Sequence, residues 1–260
     1  MELWQILILA VVQGVTEFLP ISSSGHLVIV AQLMNAESVQ DLDVSDVNIV
    51  LHVGTLLSIL VFYQQRLLRL LTDDRRTILL IILGTIPAVL VGLPIELKFE
   101  YLLESPLLSG VMLCVTGAAL FSASFLERGT KHYEGMGYGK AILIGLSQAA
   151  AILPGLSRSG STIITGLWLG LDPRAAAGFS FLLAIPAIAG GGVLEAYSLA
   201  TGPPSSTPLS YLVIGAVVSF AVGLISLAWL VRWLERGRLQ LFALWCLPVG
   251  VAVIAWQLWG

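Results

Sequence analysis

Six stretches of this sequence, 47–63, 77–94, 106–126, 174–197, 209–231 and 241–259, are apolar for nearly the length of a bilayer crossing. A helix needs about 20 such residues to span the hydrocarbon core. Short hydrophilic breaks separate the stretches, so the chain is constrained to a bundle of membrane helices. Composition agrees, because 57% of the 260 residues are hydrophobic and only 11% are charged. A soluble domain carries roughly 25% charged residues. This excludes a cytosolic enzyme, and with a net charge of -3 there is no basic field to attract nucleic acid. The first 33 residues lack a basic n-region and a small-residue cleavage site, so no removable signal peptide is expected. Cys114 and Cys246 sit in apolar runs and read as packing or lipid-facing residues rather than a disulfide or metal pair.

Two further stretches, 2–33 and 141–171, are apolar at both ends and broken in the middle. The breaks read Leu19-Pro20-Ile21-Ser22-Ser23-Ser24-Gly25-His26 and Leu153-Pro154-Gly155-Leu156-Ser157-Arg158-Ser159-Gly160. Their flanks are short for full spans and suit re-entrant helix hairpins. A shift of 135 aligns Gln13 with Gln148, Ser22 with Ser157, Ser24 with Ser159 and Gly25 with Gly160. The stretch 47–51 aligns with 179–183 at a shift of 132. The pattern predicts an all-α polytopic membrane protein formed as one membrane domain over 1–260. Its two repeats, about 1–126 and 139–260, each hold one re-entrant hairpin and three transmembrane helices.

The loops set the orientation. Arg66, Arg69, Arg75 and Arg76 lie in the break at 64–76, Arg128, Lys131 and Lys140 in 127–140, and Arg232, Arg236 and Arg238 in 232–240. These mark the cytoplasmic side. Glu37, Asp41, Asp43 and Asp46 crowd the opposite side. The first hairpin then enters from outside and the second from the cytoplasm, which makes the halves an inverted-topology repeat whose broken helices meet near the midplane.

Ionisable residues inside apolar stretches are costly and therefore functional candidates. Here they are Glu17, Arg158 and Glu195, with Asp172 and Arg174 at a boundary where a helix cap is the expected role. Gln13 and Glu17 are four apart and share a helix face. Ser22, Ser23, Ser24, Gly25 and His26 follow at the start of a second half-helix, whose free N–H groups attract anions. Ser157, Arg158, Ser159, Gly160 and Ser161 occupy the matching helix start. Arg158 keeps its charge and offers a planar fork suited to phosphate. The set is equipped for phosphoryl chemistry on a substrate reached from the membrane. His52 is read evenly as lining the site or as structural. His132 has no assigned role, and the seven tryptophans are expected near the interfaces.

Gln13-Gly-Val-Thr-Glu17-Phe-Leu-Pro20-Ile-Ser22-Ser23-Ser24-Gly25-His26 resembles the first signature of the integral-membrane undecaprenyl-diphosphate phosphatase family, the bacitracin-resistance type. Leu153 to Thr162 resembles its second signature, and Phe179 to Pro186 is also similar. The resemblance spans essentially the whole chain. It implies an inner-membrane enzyme that converts undecaprenyl diphosphate to undecaprenyl phosphate and inorganic phosphate, with its site open to the periplasm. It implies dependence on Mg²⁺ or Ca²⁺, with Glu17 as a metal ligand or as the group orienting His26. The motif accepts Glu or Gln where Gln13 stands, and an acidic residue is expected where Asn48 stands. By the same resemblance Ser23 is the nucleophile, His26 its base or the acid for a leaving oxygen, and Arg158 the phosphate clamp. Gln13, Ser22, Ser24, Gly25, Ser157, Ser159, Gly160 and Ser161 would contact substrate. The expected partners are the polyprenyl diphosphate and membrane lipid, with no nucleic acid and with a homodimer left open. The competing reading is a secondary transporter or lipid flippase built on the same broken-helix plan.

Overall fold

The computed structural model describes residues 1–34, 44–98, 103, 105–201 and 207–259. Its regular elements are helices: α1 (Leu3–Thr16), α2 (Ser23–Leu33), α3 (Val44–Phe62), α4 (Gln64–Thr72), α5 (Arg75–Lys98), α6 (Pro106–Ser122), α7 (Tyr138–Ala150), α8 (Arg158–Trp168), α9 (Pro173–Thr201), α10 (Leu209–Glu235) and α11 (Ala243–Trp259). Among the described residues, five helical segments are long and apolar enough to cross a membrane: Arg75–Ile95, Pro106–Phe125, Pro173–Val193, Leu209–Glu235 and Leu239–Trp259. The chain is an all-α polytopic membrane protein. Leu90, Val193, Val217, Ile225 and Leu244 face outward, where a soluble protein would place polar groups.

The first expected span departs from the others. α3 ends at Phe62, and α4 continues from it after a bend of 68°. The break at 64–76, expected as a loop, is therefore largely helical. Arg66 and Arg69 alternate with leucines, and Leu70 is buried while Leu68 and Leu71 are exposed. This two-faced pattern of leucines and arginines is the one found in helices that lie along a membrane interface. Glu37, Asp41 and Asp43 lie outside the described residues, as do the side chains of Asp46 and Glu195.

The paired short helices have 14, 11, 13 and 11 residues for α1, α2, α7 and α8. At 1.5 Å per residue they reach only about 16–21 Å, too short to cross singly. α1 lies against α10 and α7 against α5, so each leans on a long helix from the other half of the chain. The α7–α5 approach is backbone to backbone: a Cβ on Gly145 would sit 2.2 Å from the Gly84 carbonyl oxygen. Small residues permit such crossings, which gain packing that lipid alone does not drive. At the centre, Phe18 and Phe181 are fully buried and meet edge to face at 5.7 Å, tying the first break to α9.

The three basic breaks gather at one end. The Arg66 side chain donates to Tyr133 Oη at 2.7 Å and pairs with Glu134 at 3.0 Å and with Asp74. The Arg76 guanidinium donates to the Met136 carbonyl at 2.6 Å. Asp172 caps α9 by accepting from the Arg174 and Ala175 N–H groups at 3.0 and 3.3 Å, and its carboxylate lies 3.4 Å from His132.

Asp74 caps α5, accepting from the Thr77 N–H at 3.2 Å and hydroxyl at 2.6 Å. Burial works to raise its pKa, but the Thr77 and Arg66 hydrogen bonds outweigh it and hold the carboxyl below its ordinary value. This stabilisation is present above the unfolded pKa and disappears as pH falls through the lowered folded value. Asp74→Ala should cost about 1 kcal/mol at neutral pH, like the loss of other helix caps. Thermal unfolding in detergent should show the deficit near neutrality and its disappearance in acid.

Candidate active site

Pro20 and Pro154 each lack an N–H and interrupt the helices entering the two breaks. In each break a serine then caps the next helix. Ser22 Oγ accepts from the Gly25 N–H at 3.3 Å, and Ser157 Oγ accepts from the Gly160 N–H at 3.0 Å. Ser22 and Ser24 hydroxyls are 3.4 Å apart, and those of Ser157 and Ser159 are 3.2 Å apart. The offset of 135 read from the sequence thus reappears in the capping bonds. The caps leave the N–H groups of Ser23 and Ser24, and of Arg158 and Ser159, without intrahelical acceptors. Ser22 has φ 71, a left-handed conformation that is strained for a non-glycine residue.

The two tips are in contact. The Gly155 N–H donates to Ser22 Oγ at 3.1 Å, and Ser159 Oγ donates to the Leu19 carbonyl at 3.2 Å. A Cβ on Gly25 would meet the Gly155 backbone at 2.8 Å. From α6, Thr116 Oγ1 donates to the Gly155 carbonyl at 2.8 Å and accepts from the Ser157 N–H at 3.0 Å. Gly155 itself has φ +91, and a Cβ there would strike the Ser109 carbonyl oxygen at 2.1 Å.

Glu17 stands at this junction with 6% of its surface exposed. Its Oε1 accepts from Arg158 Nη2. Its Oε2 accepts from Ser23 Oγ at 2.6 Å and from Gln13 Nε2 at 3.1 Å. A buried carboxylate needs such donors to offset desolvation. His52 Nε2 of α3 approaches the same Oε2 at 3.9 Å. One arm of the guanidinium is left over: among the described residues, the buried Arg158 Nη1 has no hydrogen-bond partner. A buried charged donor with no acceptor is costly, so it marks a place for an anion.

His26 is placed differently from its expected role. Its Nδ1 donates to the Ser22 carbonyl at 2.7 Å, and its Nε2 accepts from Trp245 Nε1 of α11 at 2.9 Å. The Ser23 hydroxyl donates to Glu17, not to His26, because the ring is turned away by these two bonds. Several expected substrate contacts are also engaged elsewhere. Ser22, Ser157 and Ser159 are buried and spend their hydroxyls on the caps and on the opposite tip. Gly25 and Gly160 permit close packing. Ser24 is exposed and Ser161 half-buried.

Mg²⁺ and Ca²⁺ take six or more oxygen ligands. Among the described residues no group of three His, Cys, Asp or Glu side chains is placed to hold a metal. Glu17 is the one carboxylate in the hydrogen-bond network at the tips, and both its oxygens are engaged. The described residues alone do not form a protein-built cage for a resident cation.

Thr116, Ser109 and Trp245 were not singled out in the sequence. Thr116 and Ser109 are seven apart on an apolar span, the spacing of one helix face. That signal points to packing as readily as to a site. Trp245 carried only the expectation of an interfacial belt. Cys114 and Cys246 are free.

The fold and site define a membrane-embedded protein whose broken helices converge on one ion pair. A profile of the family described as bacitracin resistance protein BacA matches residues 6–252. A protein of Rhodopirellula baltica named undecaprenyl-diphosphatase is 50% identical over 256 residues, 97% of each chain. One of Desulfatibacillum aliphaticivorans with the same name is 39% identical, over 96% of this chain and 97% of that one. A Bacillus thuringiensis protein named undecaprenyl-diphosphatase 4 is 37% identical, over 96% and 95%. The chain belongs to the BacA family.

Gly25→Ala tests the contact between the tips. The Cβ would press on backbone that cannot turn aside, so it should cost about 1–3 kcal/mol, the range for overpacking. An unchanged melting temperature in detergent would contradict the contact.

Proposed function

We propose that this protein is an undecaprenyl-diphosphate phosphatase. It hydrolyses undecaprenyl diphosphate to undecaprenyl phosphate and inorganic phosphate, recycling the lipid carrier for cell-wall synthesis and conferring bacitracin resistance. The names of its relatives support the substrate. The observation that carries the reading is an Arg158 guanidinium with one unpartnered arm, sharing Glu17 with the Ser23 hydroxyl.

In this reading the terminal phosphate lies across Arg158 Nη1 and the free N–H groups of the two capped helices. Ser23 Oγ attacks the terminal phosphorus while its proton passes to Glu17 Oε2. The bond to the bridging oxygen breaks, and undecaprenyl phosphate leaves. Water then attacks the phosphoserine, Glu17 returns its proton to Ser23 Oγ, and inorganic phosphate departs. Glu17 is the base, replacing His26, whose two bonds brace α2 against α11. Mg²⁺ or Ca²⁺ bound with the substrate would supply charge neutralisation to the diphosphate, and none of the residue roles above depends on it.

On this reading the protein sits in the bacterial inner membrane, with its site open to the periplasmic side. The gathering of the basic breaks at one end supports this, since such loops stay cytoplasmic. The repeated capping pattern supports the reading of the halves as repeats of one plan. A transporter or flippase is less well supported, because a poised hydroxyl–carboxylate pair serves chemistry rather than transit.

Purified protein in detergent, where transport is impossible, should release phosphate from undecaprenyl diphosphate. Ser23→Ala should abolish release, and Arg158→Ala should lower kcat/KM by about 10²-fold or more, as for lost oxyanion donors. Normal turnover in either variant would refute the assigned role.

A further inference from the structure

Resting on the phosphatase reading, we propose that His52 is a substrate-binding residue that contacts the terminal phosphate beside Ser23. Its Nδ1 lies 2.9 Å from the Asn48 carbonyl, an acceptor, so Nδ1 carries the hydrogen and the ring is pinned one turn along α3. This aims Nε2 at the site, where it is 3.9 Å from Glu17 Oε2. Ser23 Oγ is 2.6 Å from that same oxygen. Nε2 and the Ser23 hydroxyl are therefore no more than 6.5 Å apart, the sum of those two distances. A phosphoryl group bonded to Ser23 Oγ would therefore carry its oxygens within reach of Nε2.

Charge balance calls for such a contact. Arg158 is paired with Glu17, so the two add no net charge against a multiply charged diphosphate. His26 is held at both nitrogens by Ser22 and Trp245. The His52 side chain keeps 27% of its surface exposed, and among the described residues its Nε2 has no closer partner than Glu17. A single proton between Nε2 and a phosphate oxygen completes the hydrogen bond whichever atom carries it. Gln13 and Ser23 already donate to Glu17, so the carboxylate does not need His52 to hold its place.

The test compares wild type, His52→Leu and His52→Gln in detergent. It reads KM and kcat for undecaprenyl diphosphate, and the Kd for inorganic pyrophosphate by titration calorimetry. His52→Leu should raise KM and the pyrophosphate Kd about tenfold each, the loss of one hydrogen bond to a charged group, with the larger effect in KM than in kcat. His52→Gln, which keeps a donor at similar reach, should recover most of both. A His52→Leu protein with wild-type KM and Kd would overturn the proposal. So would one that loses kcat and melting temperature while both binding constants stay unchanged, the pattern of a structural residue. Failure of the wild type to release phosphate would instead bring down the phosphatase reading, and the pyrophosphate Kd would still decide the contact.

Discussion

The ion pair between Glu17 and Arg158 joins residues 141 positions apart and holds the two broken helices together. Neither charge is tolerable alone at this depth. A carboxylate with 6% exposure requires donors, and a guanidinium that cannot deprotonate requires an acceptor. The pair meets both demands only if the tips touch. Much of the surrounding structure follows from that requirement. Gly25 and Gly155 strip side chains from the contact, Ser22 and Ser159 cross-brace the loops, and Thr116 fixes the second tip from α6.

The two tips share a capping framework and differ in the chemistry they carry. Both use a serine cap accepting from the glycine N–H three residues on, followed by a second serine two residues after the cap. Between those serines the first tip places Ser23 and the second places Arg158. One half therefore supplies the hydroxyl and its carboxylate partner, and the other supplies the cation. Neither hairpin alone is a site, which explains why the charged residues of so apolar a chain fall in matching places.

Much of this was legible in the sequence because bilayer physics makes polar residues rare and their positions informative. Five of the six expected spans correspond to long apolar helices, and Glu17, Ser23 and Arg158 do converge. The α4 helix was missed because arginines at a boundary look like a loop when leucines on the other face are not weighed. The partner of His26 was not legible, because nothing in a sequence connects position 26 to Trp245. At the serines a cap and a ligand both call for a hydroxyl at a helix start, and only geometry separates them. His52 was balanced between two roles for the same reason, since its value lies in the distance from another helix.

The most direct test of a single site built on this ion pair is a double-mutant cycle on kcat/KM with Glu17→Gln and Arg158→Ala. If the two residues act as one unit, the double variant should be little worse than the poorer single variant. Losses that multiply would show two independent residues and contradict the account.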